Sequence, residues 1–142
     1  MKALFDTSVL VAALVTSHEF HTRAHSIVGR GRNGEFEWFV SQHTIAELYR
    51  VLTAMPGAMS PEKASESIEK NIYQSASIVS LSPDDYLQIV KRQGELKNRS
   101  GIIFDALIAH AARKIGADRL YTFNPTHFLR AWPEGSAIIV QP

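Results

Sequence analysis

The stretch "KALFDTSVLVAALV", residues 2–15, decides the fold class. "KALF" is an apolar run of strand length, and "TSVLVAALV" (7–15) opens with Thr7 or Ser8, either able to cap a helix. A strand that passes directly into a helix begins a β–α unit. Between the two stands a single charged residue, Asp6, where the pattern on both sides asks for burial.

The alternation continues outward from there. "SHEFHTRAHSIVGRG" (17–31) continues helically to a stop at Gly29 or Gly31, and "EWFVS" (37–41) is aromatic and β-branched like a strand. "QHTIAELYRVLTAM" (42–55) carries apolar residues at 45, 48, 52 and 55, a helical stripe ended by Pro56–Gly57. Ser60 followed by Pro61 starts another helix, and Ser82–Pro83 repeats that signal after the strand "SIVSL" (77–81). "GIIFDALIAHAARKIG" (101–116) reads as a helix with Phe104, Ile108, Ala111 and Ile115 on one stripe and Gly116 as its stop. "RLYTF" (119–123) and "SAIIV" (136–140) are strands flanking "NPTHFLRAW", a loop or short helix. Strands separated by helical crossovers imply a mainly parallel sheet covered on both faces. The expectation is one α/β domain over residues 1–142, a three-layer α/β/α sandwich from which the helical stretch 42–74 projects as a hairpin.

The bulk numbers exclude several classes. At 142 residues the chain suits one domain with a proper core, and 45% hydrophobic with 20% charged residues is ordinary for a globular protein. A formal net charge of +1 means that any nucleic-acid contact comes from a local patch rather than from bulk charge. There is no cysteine, hence no disulfide and no thiolate metal site, and a reducing compartment is permitted. Asp6 interrupts the N-terminal apolar run, which argues against a signal peptide, and no stretch approaches the roughly 18 apolar residues of a membrane span. A soluble, cytoplasmic domain is expected.

The acids carry the functional argument. In parallel α/β sheets ligands bind beyond the carboxyl ends of the strands. Asp6 follows the first strand and Asn124 follows "LYTF", with Thr7, Ser8 and Thr122 supplying hydroxyls beside them. Glu47 in "TIAELYRVL" and Asp105 in "GIIFDALIAHA" lie within otherwise apolar helical stretches. Each also has an ordinary role open to it: Asp6 as a helix cap, Asp105 as a first-turn acid favoured by the helix dipole, Glu47 as a solvated surface group.

In this order "LFDTSVL", "TIAELYRVL", "GIIFDALIAHAA" and "ADRLYTFNPTHF" resemble the PIN-domain family, especially the VapC-type toxins of bacterial toxin–antitoxin pairs. The likeness runs from residue 3 to residue 128. It implies a Mg²⁺- or Mn²⁺-dependent endoribonuclease acting on structured cellular RNA, neutralised by a cognate antitoxin and dimeric. The metal-site acids it implies are Asp6, Glu47 and Asp105. Asn124 stands where many members carry an acid; an amide can ligate a hard cation or hold its water but adds no charge, which touches a second metal rather than the first.

That chemistry suits the residues. Phosphodiester hydrolysis needs an activated water and neutralised transition-state charge, and a hard divalent cation on oxygen ligands provides both. Three carboxylates gathered without a cation would repel one another and raise a pKa among them. Lys97 and Arg99 in "ELKNRSG", with Arg50 and Arg113, are candidates for phosphate contacts, or else ordinary solvated charges. His127, three residues beyond Asn124, could reach the site as a phosphate contact or water holder. His18, His21 and His25 share one face of the expected 17–31 helix without any accompanying carboxylate motif, and His110 falls on another face from Asp105. Trp38, Phe39 and Phe128 read as core. Two other readings stay open: a non-catalytic RNA-binding or interaction module of the same fold, suggested by Asn124, and an aspartyl-phosphate enzyme using Asp6. Ser8 counts against the second, which wants another Asp there. An antitoxin would mask the pocket with a basic side chain and lay an amphipathic helix beside the 42–75 hairpin.

Overall fold

A computed structural model describes residues 1–54 and 56–142. Its strands are β1 (Lys2–Phe5), β2 (Glu37–Ser41), β3 (Ser77–Val79), β4 (Arg119–Tyr121) and β5 (Ile139–Val140). The helices are α1 (Thr7–Leu14), α2 (His21–Arg32), α3 (Gln42–Ala54), α4 (Pro61–Ile68), α5 (Pro83–Glu95), α6 (Ile102–Lys114) and α7 (Pro125–Ala131). A π-helical turn, Glu69–Tyr73, extends α4, and a 3₁₀ turn, Pro133–Gly135, precedes β5. Among the described residues no helix is long and apolar enough to cross a membrane.

The sheet runs β3-β2-β1-β4-β5 and every pairing in it is parallel. Side chains alternate across the central strand, so the two faces carry different cores. Ala3 and Phe5 join Trp38 and Val40 against α1, α2, α3 and α4, whereas Leu4 packs with Ile108, Ala112, Leu120 and Phe128 on the other side. This is the expected three-layer sandwich, with Trp38 and Phe128 in its core and Phe39 partly buried beside it. Chain order departs in one direction from β1 to β2 and β3, then returns to β1's other edge with β4. The sheet therefore has its switch point between β1 and β4, where a crevice opens at the strand ends.

The hairpin of α3 and α4 forms, with Ser60 capping α4 by accepting from the Lys63 amide at 3.2 Å. Its inner residues, Leu48, Leu52, Ala64, Ile68 and Ile72, belong to the main apolar core, so it lies along the domain for most of its length. Met55, the last residue of the expected α3 stripe, falls outside the described residues.

Several boundaries differ from expectation. The cap of α1 is Asp6, the ordinary role left open to it, and not Thr7 or Ser8. The 17–31 helix begins only at His21 and passes through both glycines to Arg32. Gly29 and Gly31 do not adopt positive φ; Gly34 does, at 78°, just past the helix. Gly31 serves packing, since a Cβ there would sit 3.0 Å from Cγ of Trp38. β3, β4 and β5 are shorter than the expected runs, the chain leaving the sheet after Tyr121 to carry Thr122, Phe123 and Asn124 to the crevice. On α6 the buried residues include Ile102, Ala106, Leu107, Ile108, Ala109, Ala111 and Ala112, while Phe104 is exposed. That helix is apolar around most of its circumference, so a single stripe did not locate its outer face.

Candidate active site

The crevice between β1 and β4 is organised around Asp6. Its amide donates to the Tyr121 carbonyl at 3.0 Å, joining the two strand ends, and its carbonyl accepts from Val9 and Leu10 to start α1. The side chain is almost wholly buried, and its donors converge on one oxygen. Oδ2 accepts from Ser8 Oγ at 2.6 Å, Thr122 Oγ1 at 2.8 Å and, more weakly, the Ser8 amide at 3.4 Å. Ser8 Oγ in turn accepts from the Phe123 amide, and Thr122 Oγ1 from the Asn124 amide. Among the described residues no hydrogen bond reaches Oδ1, which leaves that oxygen available to the cavity that Asp6 lines. Burial raises the Asp6 pKa, opposed by the hydroxyls of Ser8 and Thr122 and reinforced by the charge of Glu47.

Asp105 enters from the first turn of α6. Burial first, then the negative charge of Asp6, pushes its pKa up to about 6, with Glu47 adding to the rise and His127 opposing it. His127 Nδ1 lies 4.0 Å from Asp105 Oδ2. Glu47 comes from α3, its Oε2 accepting from Thr7 Oγ1 at 2.7 Å and standing 3.8 Å from His43 Nε2. Asn124 stands at the start of α7, in the N-cap position but without a side-chain cap bond, so its amide is not consumed by the helix.

Asp6, Glu47, Asp105 and Asn124 thus line one cavity of about 680 Å³, and His127 lines it as well. Chain segments remote in sequence meet there because the switch point gathers the ends of β1 and β4 beside the starts of α3 and α6.

The basic candidates and the early histidines lie differently. Lys97, Arg99, Arg50 and Arg113 do not line the cavity. Asn98 explains the first two: its Nδ2 donates to Gln93 Oε1 and to the Arg130 carbonyl, fastening the 97–100 segment toward α5 and α7. Arg113 contacts His110 Nδ1 at 3.2 Å, and His110 meets Asp85 at 3.1 Å, away from the cavity. The three early histidines separate. His18 sits in the turn before α2 and lines the cavity, whereas His21 binds the Ala12 carbonyl and packs beside His25.

Sequence reading missed Glu19, Phe20, Phe104 and Phe123 as cavity residues and His43 as their neighbour. His43 precedes Glu47 by one helical turn, a spacing that could have drawn attention to it. Glu19 and Phe20 give no such signal, because the expected 17–31 helix covers the turn that carries them.

The family model of the PIN domain matches residues 3–131. The chain belongs to the PIN-domain family. Like this PIN domain in sequence is the protein named Ribonuclease VapC40 from Mycobacterium tuberculosis, 29% identical over 119 residues that make up 81% of each chain. Among solved structures, Mycobacterium tuberculosis VapC20, described as a sarcin–ricin-loop-cleaving toxin, superposes with a TM-score of 0.70 at 18% identity, over 85% of this chain and 88% of that one. VapBC2 from Rickettsia felis, bound to a DNA fragment from its promoter, gives a TM-score of 0.69 at 17% identity, covering 100% and 99%. At these identities the structural likeness concerns the fold.

A PIN domain implies a divalent cation, and the donor set can be tested against it. Among the described residues no three Asp, Glu or His side chains are drawn in to the spacing of a closed metal cage. The acids instead share one open cavity, with an oxygen on Asp6 that no hydrogen bond reaches among the described residues, and with pKa values of Asp6 and Asp105 raised first by burial and further by the neighbouring carboxylates. Such a set fits a hard cation that retains several waters and takes one or two carboxylates directly. Added positive charge would relieve the repulsion.

Proposed function

We propose that this chain is a cytoplasmic Mg²⁺- or Mn²⁺-dependent endoribonuclease, a single PIN-like domain over residues 1–142, that hydrolyses phosphodiester bonds in structured cellular RNA and is neutralised by a cognate antitoxin. The observation that carries the reading is the meeting of Asp6, Glu47 and Asp105, from three separate elements, on one cavity at the sheet's switch point. The ribonuclease name of the sequence relative and the toxin described among the structural neighbours support it.

In this reading Asp6, Asp105 and Glu47 hold the cation. When bound, the cation lowers the pKa of a coordinated water and neutralises charge on the phosphate. Asp6 offers the oxygen that its hydroxyl partners leave free, and Thr7 keeps the Glu47 carboxylate turned toward the site. Asn124 contributes a carbonyl oxygen or holds a water without adding charge. His127 stands at the rim as a phosphate or water contact.

The antitoxin would cover this acidic pocket with a basic side chain and lay an amphipathic helix beside the 42–75 hairpin, and the toxin would be a homodimer. Complexes such as VapBC2 support the partner by analogy. The second reading, a non-catalytic RNA-binding or interaction module, is favoured by Asn124 alone.

The test compares RNA cleavage with and without Mg²⁺ or Mn²⁺ and repeats it with Asp6→Ala and Asp105→Ala. Cleavage that requires the cation and is abolished by both changes is expected; cleavage indifferent to them overturns the reading. Titration calorimetry with Mn²⁺ separates the two readings, since the non-catalytic module should bind little.

A further inference from the structure

The cavity presents a difficulty for any polyanion. Asp6, Glu19, Glu47 and Asp105 line it, and among the described residues no Lys or Arg does. Even after one divalent cation binds, its charge balance offers a nucleic-acid strand little electrostatic grip. Affinity must come from elsewhere on the rim, and the rim carries aromatic rings.

Those rings differ in what they have left to offer. Phe20 and Phe123 stack on each other with centroids 4.6 Å apart, and the Arg23 guanidinium lies over both, 5.8 Å from one and 5.7 Å from the other. Arg23 is itself held by the Pro142 backbone oxygen, which accepts from its Nε at 3.1 Å. Their faces are largely engaged within the chain. Phe104 is different: it immediately precedes Asp105 in the first turn of α6, lines the same cavity and is 48% exposed. Leaving an aromatic ring of that size in water forfeits burial energy that the fold could otherwise use.

One face of Phe104 is backed by the His43 ring, parallel within 5° at a centroid distance of 5.0 Å. His43 lies in the first turn of α3, and among the described residues its buried Nε2 has no hydrogen-bond partner. A ring braced from behind and open in front, beside an acid of the cavity, is a preorganised surface for stacking. Its ordering cost is met before any ligand arrives.

We propose that Phe104, braced by His43, is a nucleobase subsite. It stacks an unpaired base of the RNA next to the phosphate that enters the acidic cavity, supplying a grip that does not depend on charge. Single-stranded loops, whose bases can be splayed out, are the RNA class that such a platform selects. This inference rests on the ribonuclease reading for the identity of the ligand, and its test is arranged so that either can fail alone.

The test uses the full chain carrying Asp6→Asn, so that RNA remains intact, and a short fluorescent single-stranded RNA in the presence of Mg²⁺. Phe104→Ala should weaken binding by about tenfold while Phe104→Tyr stays within about threefold, as expected for a stacking platform. The slope of log affinity against log salt should be unchanged, because no phosphate contact is lost. An abasic site in the RNA should reproduce the loss and fail to add to Phe104→Ala. Unchanged affinity in Phe104→Ala, a shallower salt slope, or equal losses in the Ala and Tyr variants overturns the subsite. So does loss of self-association in Phe104→Ala with RNA binding intact, which makes the ring a protein contact. With Asp6 restored, Phe104→Ala should raise KM and leave kcat nearly unaltered. Cleavage with KM unaffected rejects the subsite and leaves the ribonuclease reading standing; no cleavage by the parent chain, with the binding loss still present, does the reverse.

Discussion

Thr7 Oγ1 donates a 2.7 Å hydrogen bond to Oε2 of Glu47, joining the first residue of α1 to the middle of α3 across the cavity wall. Thr7 is buried and Glu47 only partly so, and the bond holds a charged group from one helix against the start of another. Replacing Thr7 with Val keeps the shape and removes the donor. A loss of roughly 1–2 kcal/mol is expected, a hydrogen bond to a charged acceptor being the stronger kind, and Thr7→Ser should recover most of it. Urea denaturation of the two variants checks this. Equal stability for Val and Ser would show that the bond contributes nothing.

Asp105 gives the fold a pH dependence of unusual sign. Its folded pKa of about 6 lies above the roughly 3.9 of an unfolded aspartate, so the native state holds the proton more tightly. Between those values the native state binds more protons than the unfolded one, and its stability falls as pH rises. Below about pH 4 the penalty is absent; above about pH 6 it is complete. Asp105→Asn removes it, and should gain about 1 kcal/mol at neutral pH without divalent cation, after discounting for solvent screening at a partly open site. Denaturation curves taken across this range should converge at the acid end. A difference that stays constant with pH would mean that the carboxyl is not the cause.

Cation binding should be legible as stability even where no substrate is present. Mn²⁺ at about ten times its dissociation constant should stabilise the native chain by about 1.4 kcal/mol. Asp6→Asn and Asp105→Asn should each reduce the shift in melting temperature, while Asn124→Ala should reduce it less, since the amide adds no charge. A shift retained in full by both Asp variants would place the ion elsewhere on the molecule.

Gln93 is a buried amide on α5 whose Nε2 donates to the Ala131 carbonyl at 2.9 Å and whose Oε1 accepts from Asn98 at 2.8 Å. It clamps the segment leading into α6 onto α7. Gln93→Leu leaves the Ala131 carbonyl unpaired in an apolar setting, at an expected cost of about 1–3 kcal/mol. Because that segment precedes Asp105, amide hydrogen exchange should rise over residues 96–101. Protection as in the parent chain would show that the clamp is dispensable.

Much of this was readable from residue order. Asp6 declared itself by interrupting an apolar pattern at a strand end, and the Ser-Pro pairs at 60–61 and 82–83 set the starts of α4 and α5. Asp6 and Asn124 fell together because strand ends in a parallel sheet share one edge, and Glu47 and Asp105 reach the same cavity from α3 and α6. What escaped was governed by contacts distant in sequence. Phe104 matched a helical stripe with Ile108 and Ala111, but the cavity mouth, not the core, lies on its side of α6. Lys97 and Arg99 neighbour Asp105 in the chain, yet Asn98 fastens their segment in another direction. Gly31 resembled a helix stop because composition cannot distinguish a glycine required by φ from one required by the Trp38 ring.

The placement of β1 between β2 and β4 also fixes when the cavity can exist during synthesis. Asp6 precedes both the carboxylate of Asp105 and the hydroxyl of Thr122 in the chain, so it is synthesised before either of them. Until they follow, the strand that carries Asp6 lacks one neighbour, and the crevice has a single wall. Whatever this pocket does, a half-made chain cannot do it, and a cell that aborts translation before the fourth strand releases an inert fragment.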